Sequence, residues 1–258
     1  MSLTELQKEI YARNIALSEV GEKGQEKLTK AAVLVVGNGG LGSSALLYLA
    51  AMGIGRIGLC DDDDISYSNL NRQVLYNRAD VGLQKNDVAK KRLQELNPDI
   101  KIDLYKEFLT TENVVDICQG YDIVVDCLDN LATRILINDT CLRLRIPFVH
   151  AGIYKYHGQT LTVLPGKGPC LRCLFSEEDL ESLQRQEDLN LSLDGVPGTT
   201  PGVFGLLEAC EVFKYIVGLP VNNQSLFYLD TLNMTSHNIQ LERNPHCLCN
   251  QIFKQQLI

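Results

Sequence analysis

Gly37-Asn38-Gly39-Gly40-Leu41-Gly42 repeats glycine in the pattern G-x-G-x-x-G. Glycine lets a backbone turn tightly and meet a phosphate or ribose with no Cβ between, and a helix N-terminus beyond it favours negative charge. Asp61 follows 19 residues after Gly42, where a carboxylate accepts the hydrogen bonds of a ribose diol. These features alone fit a dinucleotide oxidoreductase. The next residues argue otherwise. Arg72, in Ser68-Asn69-Leu70-Asn71-Arg72-Gln73, and Lys85, in Val81-Gly82-Leu83-Gln84-Lys85, are two cations near the glycine turn. They suit a triphosphate better than a nicotinamide. Asp129, in Asp126-Cys127-Leu128-Asp129-Asn130, offers an oxygen ligand for Mg²⁺. Singly, Lys85 reads as an exposed helix lysine and Asp129 as a helix cap; together and in this order they point to ATP.

A second constellation is built from sulfur. Cys170 and Cys173 form a C-x-x-C knuckle, and Cys247 and Cys249 a C-x-C pair beside His246. Four thiolates in two tight pairs close a tetrahedral Zn²⁺ site with no open position, which makes the metal structural. His246 is an alternative donor for one sulfur. The total of nine cysteines is odd, so a disulfide framework is not expected, and neither is a lone redox motif.

These residues need elements to hold them. The run Ala32–Val36 is short and continuously apolar, as in a buried parallel strand. Further strands are expected at Arg56–Cys60, Ile100–Tyr105, Ile123–Cys127 and Phe148–His150, with helices at Ser43–Met52, Asn86–Asn97 and Arg134–Leu144 between them. One or two helices over residues 4–30 precede them. The alternation implies an α/β, Rossmann-like, doubly wound sheet with right-handed crossovers. The rest reads as a strand or hairpin arm at Tyr154–Leu164, a polar surface segment at Ser176–Asp194, a helix at Gly202–Val217, and antiparallel strands at Ser225–Asp230 and Asn238–Arg243. The sheet is thus extended by antiparallel strands. The 258 residues read as a single domain, with N-terminal helices at 1–30, a nucleotide-binding core at 31–150 and a carrier-binding, zinc-bearing part at 151–258.

Composition narrows the function classes. The net charge of −8 is a poor match to nucleic acid. No run approaches the roughly 18 apolar residues of a membrane helix. The start MSLTELQKEIYARN has no apolar signal core, so the expected location is cytoplasmic.

The runs VLVVGNGGLGSSALLYLAAMGIGRIGLCDDDDISYSNLNRQVLY, DVGLQK and DCLDN, in that order, resemble the MoeB/ThiF/HesA family, kin to the ubiquitin-activating enzymes. The likeness runs from Tyr11 to Cys249. It implies that Asp61 and Asp63 hold the ribose side of ATP, that Asn69, Arg72 and Lys85 hold the phosphates, and that Asp129 positions Mg²⁺. It also implies that Arg13, in Tyr11-Ala12-Arg13-Asn14, reaches the partner's phosphates in a homodimer. The reaction implied is adenylation of the C-terminal glycine carboxylate of a ubiquitin-like sulfur carrier (MoaD- or ThiS-like, with a Gly-Gly end) for molybdopterin or thiamine synthesis. Such a carboxylate is already ionised at neutral pH, so no protein base is required. The task is to offset repulsion between two anions.

Some relatives carry a thioester-forming cysteine before a Gly-Val pair. Here Asn190-Leu191-Ser192-Leu193-Asp194-Gly195-Val196 has none, and no cysteine lies between Cys173 and Cys210. Adenylation without an enzyme thioester is expected, with Cys210 in the core. Gly195–Gly202 reads equally as a guide for the carrier tail and as a plain loop. His150 and His157 read as structural. Competing readings are a peptide- or RNA-adenylating enzyme, a noncatalytic regulator that binds ATP or a ubiquitin-like protein, and an NAD-dependent oxidoreductase.

Overall fold

The computed structural model describes residues 2–175, 180, 182 and 195–254. Nearly all of the polar segment at Ser176–Asp194, including the stretch Asn190–Asp194, lies outside the described residues. Among the described residues one eight-stranded sheet organises the chain, in the order β3-β2-β1-β4-β5-β6-β7-β8. Here β1 is Ala32–Val36, β2 Arg56–Cys60, β3 Lys101–Tyr105, β4 Ile123–Asp126, β5 Phe148–Tyr154, β6 His157–Val163, β7 Ser225–Asp230 and β8 Thr235–Gln240. The first five run parallel, and β6, β7 and β8 extend the sheet antiparallel.

Alternation along the parallel strands divides the core in two. Val33, Val35, Ile57, Leu59, Ile123 and Val125 face one side. There they meet α4 (Gly40–Ala51), α5 (Lys85–Leu96) and α8 (Thr199–Val217), while α3 (Gly21–Leu28) packs on α8. Leu34, Val36 and Val124 face the other side. They meet α6 (Val114–Cys118), α7 (Leu131–Leu144) and, further along, the cysteines and α9 (Leu248–Lys254). Two short helices, α1 (Glu5–Ile10) and α2 (Ala12–Ile15), open the chain. Period-2 alternation puts apolar residues on both faces, so both faces must be covered.

From β1 the chain proceeds to β2 and β3 on one side, then returns to place β4 on the other. That reversal leaves a crevice beyond the carboxyl ends of β1 and β4, where ligands bind in open α/β sheets.

Several boundaries differ from expectation. Helix α4 starts at Gly40 and α8 at Thr199, three residues early in each case. A proline at position 201 is tolerated because first-turn N–H groups have no intrahelical acceptor. The last strand begins at Thr235, not Asn238, because Asp230 closes a tight turn by accepting the N–H groups of Leu232 (2.8 Å) and Asn233 (3.2 Å). Cys210 is exposed rather than in the core. It lies on the outer face of α8, while Phe204, Glu208, Ala209 and Val212 face the sheet. Among the described residues no helix is long and apolar enough to cross a membrane.

Candidate active site and sulfur cluster

The crevice is a cavity of about 760 Å³. Its floor is the glycine turn. Gly37 has φ +92°, and a Cβ there would lie 2.6 Å from the Cys127 carbonyl oxygen. A Cβ on Gly42 would lie 2.0 Å from the Gly37 carbonyl oxygen. The first glycine therefore permits the backbone path, and the last lets α4 pack onto the turn it follows. Gly37, Gly39 and Gly40 line the cavity. Gly42 stands behind it and shapes it.

Asp61, Asp63 and Lys85 form the wall at the end of β2. Asp61 accepts the backbone N–H of Asn38 at 2.7 Å and that of Asp63 at 3.0 Å. The Lys85 ammonium is 2.5 Å from Asp63 and 3.6 Å from Asp61, and the residue is only 4% exposed. It is thus no surface lysine: two carboxylates hold it against the cavity. Burial pushes the Asp61 carboxyl above its usual range, with Lys85 and the two N–H donors pulling against that rise.

The adjoining wall comes from the turn after β2. Asn69 and Arg72 line the cavity. Arg72 donates to the Ser68 carbonyl at 2.9 Å and to Asn71 Oδ1 at 3.0 Å. Ser68 and Asn71 stay outside the lining and restrain the guanidinium instead. Leu70 packs against the core.

Asp129 and Asn130 form the opposite wall. Asn130, not Asp129, caps α7, accepting the Thr133 N–H at 2.9 Å. That leaves the exposed Asp129 carboxylate on the cavity side. The turn is clamped from behind, because Asp126 accepts the Leu128 N–H at 3.1 Å and Arg134 donates to the Leu128 carbonyl. His150 is fully buried 2.7 Å from Asp126, and burial holds its pKa below the ordinary histidine value despite that carboxylate. This agrees with a structural reading of His150. His157 bonds the Tyr228 hydroxyl at 2.8 Å on the antiparallel strands. Arg13 is exposed on α2 and takes no part in the lining of this cavity.

Four contributors went unassigned in the sequence. Asn86 is fully buried and donates to the carbonyls of Asp61 (2.8 Å) and Tyr105 (2.9 Å), stapling β2 to β3 beside the glycine turn. Its side chain also meets Asn38 at 2.5 Å. Gln73 lines the cavity, and its buried Oε1 has no protein partner. An orphaned acceptor there fits a bound group with a donor. Thr133 and Arg134 complete the wall at α7. Only Gln73 carried a signal, as the end of the SNLNRQ run; the others are polar residues beside better-marked ones.

The second constellation also comes together. Cys170 Sγ lies 3.9 Å from Cys173 and 3.5 Å from Cys247, and Cys173 lies 3.6 Å from Cys249. All four sulfurs fall within 4.8 Å of one another. A tetrahedron with Zn–S bonds of about 2.3 Å has S···S edges of roughly 3.8 Å. The donor set therefore fits Zn²⁺. His246 is exposed and outside the group.

Comparison with known proteins follows the same outline. The model of the ThiF family matches residues 11–250. A SAMP-activating enzyme E1 of Haloferax volcanii is 39% identical over 249 residues, covering 96% of this chain and 90% of that protein. A sulfur carrier protein adenylyltransferase of Thermus thermophilus is 42% identical over 244 residues, covering 92% and 88%. Among solved structures, E. coli MccB with ATP superposes with a TM-score of 0.81 at 28% identity, covering 93% of this chain and 74% of that one.

Proposed function

Since the chain belongs to the ThiF family, we propose that it adenylates the C-terminal glycine carboxylate of a ubiquitin-like sulfur carrier, forming an acyl-adenylate and releasing pyrophosphate. One observation carries the reading. Residues from four separate segments (the glycine turn, Arg72, Lys85 and Asp129) meet around one cavity at the switch point of the sheet.

In this reading Asp61, with Asp63, takes the ribose, Asn69, Arg72 and Lys85 take the phosphates, and Gln73 Oε1 gains the donor it lacks. The carboxylate of Asp129 would hold Mg²⁺, an oxygen-seeking cation that offsets charge on the triphosphate. Nothing in the cavity need accept a proton. The work of the chain is to fix two anions in line and offset their repulsion. Val196 and Pro201 lie in the cavity wall. A Cβ on Gly198 would lie 2.1 Å from the Asn71 carbonyl oxygen. Both facts support Gly195–Gly202 as the guide for a Gly-Gly tail, and Cys210 is exposed and outside the cavity lining. The sulfur cluster would hold a structural Zn²⁺.

A homodimer accounts for Arg13, which would serve the cavity of a second copy. Leu6, Ile10 and Leu17 are 66%, 59% and 49% exposed on the same N-terminal helices and the turn after them, which supports a covered face there. The chain is read as one adenylation domain working in the cytoplasm.

The test is ATP–pyrophosphate exchange with a panel of Gly-Gly carriers. Exchange is expected with one carrier and is expected to fall by roughly 10²–10³ in Asp129→Ala, the range for losing one preorganised electrostatic group. No exchange with any carrier, but exchange with a peptide ending in a free carboxylate, would move the assignment to the chemistry of a peptide-adenylating enzyme.

A further inference from the structure

Helix α7 touches both constellations. Its first turn belongs to the cavity, through the Asn130 cap and the lining residues Thr133 and Arg134. Its middle belongs to the cysteines. The Leu171 N–H, between Cys170 and Cys173, donates to Asn138 Oδ1 at 3.0 Å. Arg172, also between them, forks onto Asp139, with Nε at 2.8 Å from one oxygen and Nη2 at 3.0 Å from the other. Asn138 Nδ2 ties the two together, donating to Asp139 at 3.0 Å. Asn138 is fully buried and Asp139 only 9% exposed.

Neither residue lines the cavity or ligates the proposed metal. Burying an amide and a carboxylate on a helix is costly unless their bonds are made. Here the bonds run to the backbone and side chain of the first knuckle. From Asn130 to Asp139 the helix rises about 1.5 Å per residue, a rigid span of roughly 14 Å. Packed side chains, hydrogen-bond networks and rigid elements are what carries energetic coupling between sites where it exists, and α7 supplies all three between these two.

We propose that Asn138 and Asp139 are positioning residues that make α7 a strut between the sulfur cluster and the Asp129 turn, so that metal on the four cysteines and nucleotide in the cavity tighten each other. This rests on the nucleotide and zinc readings above. Such coupling is reciprocal: nucleotide must raise zinc affinity by the factor by which zinc raises nucleotide affinity, and a more tightly held zinc is expected to leave more slowly.

The experiment uses the full chain loaded with zinc. Zinc release to a chromophoric chelator is timed with and without a non-hydrolysable ATP analogue and Mg²⁺, and analogue binding is measured separately by calorimetry. Saturating analogue is expected to slow release about fivefold or more. In Asp139→Asn, and independently in Asn138→Ala, the two rates should converge while zinc still binds; Asp139→Glu should restore part of the difference. An unchanged release rate in the wild-type chain, with analogue binding evident, overturns the proposal, as does an undiminished effect in both variants. A chain that binds no analogue, or carries well below one zinc, removes the underlying readings and the strut with them.

Discussion

The cavity and the sulfur cluster solve opposite electrostatic problems. In the cavity, cations come with oxygen acceptors: Lys85 sits between the carboxylates of Asp61 and Asp63, and Arg72 rests on a carbonyl and an amide oxygen. That arrangement holds its shape with no ligand bound. In the cluster, four groups of one kind converge within 4.8 Å. As thiolates they repel, and only a cation at their centre makes the spacing favourable. The first region should therefore keep its shape without a ligand, and the second should not keep its shape without the proposed metal.

Chelation is the strongest way to break this contrast. Stripping zinc, or replacing Cys247 and Cys249 with serine, should lower stability by about 3 kcal/mol or more, some 6 °C or more in Tm for a chain of this size. Calorimetry with and without chelator reads it, and an unchanged Tm would refute the metal-dependent reading of the cluster. Dialysing away nucleotide should leave only the ordinary loss of ligand stabilisation.

A smaller effect sharpens the cavity side. Gly42→Ala places a methyl against the Gly37 carbonyl oxygen, 2.0 Å away. Something must shift, at about 1–3 kcal/mol, and nucleotide affinity should fall while metal content matches that of the wild type. Equal affinity in the variant would show that the turn adapts.

The smallest effect tests the core beneath the cavity. Glu208 is fully buried under Cys127, whose thiol lies 3.4 Å from its carboxyl, and one of its oxygens has no partner. Burial lifts this carboxyl well above its ordinary range, with nearby Asp126 adding to the rise. The folded chain thus keeps a proton that the unfolded chain sheds, and this group's contribution to stability falls as pH rises past the unfolded carboxylate pKa of about 4.3. Glu208→Gln keeps the shape and removes the titration, so the variant should gain stability on the wild type between pH 5 and pH 7. Urea midpoints at the two pH values check it, and parallel pH slopes would contradict it.

Much of the parallel half was legible because its signals are local. Apolar runs of five residues, glycines after the first strand and Pro98 after the second core helix fixed element type within a few residues. The antiparallel half was less so. The Asp230 turn shifted β8, and α9 was not anticipated, because a short helix after the C-x-C pair is stabilised by packing against α7 rather than by its own propensity. Cys210 was misplaced because an apolar stretch on a helix does not disclose which face meets the sheet.

The order and types of the residues alone determined the fold class, the family likeness and the candidate donors, since periodicity, glycine turns and paired cysteines are properties of neighbours along the chain. Only the tertiary structure decided that Lys85 is buried between two carboxylates, that Asn86 staples the strand ends, that Ser68 and Asn71 restrain Arg72 rather than line the cavity, and that α7 spans both constellations. Each of these depends on groups far apart in the chain and close in space, a pairing that packing alone selects.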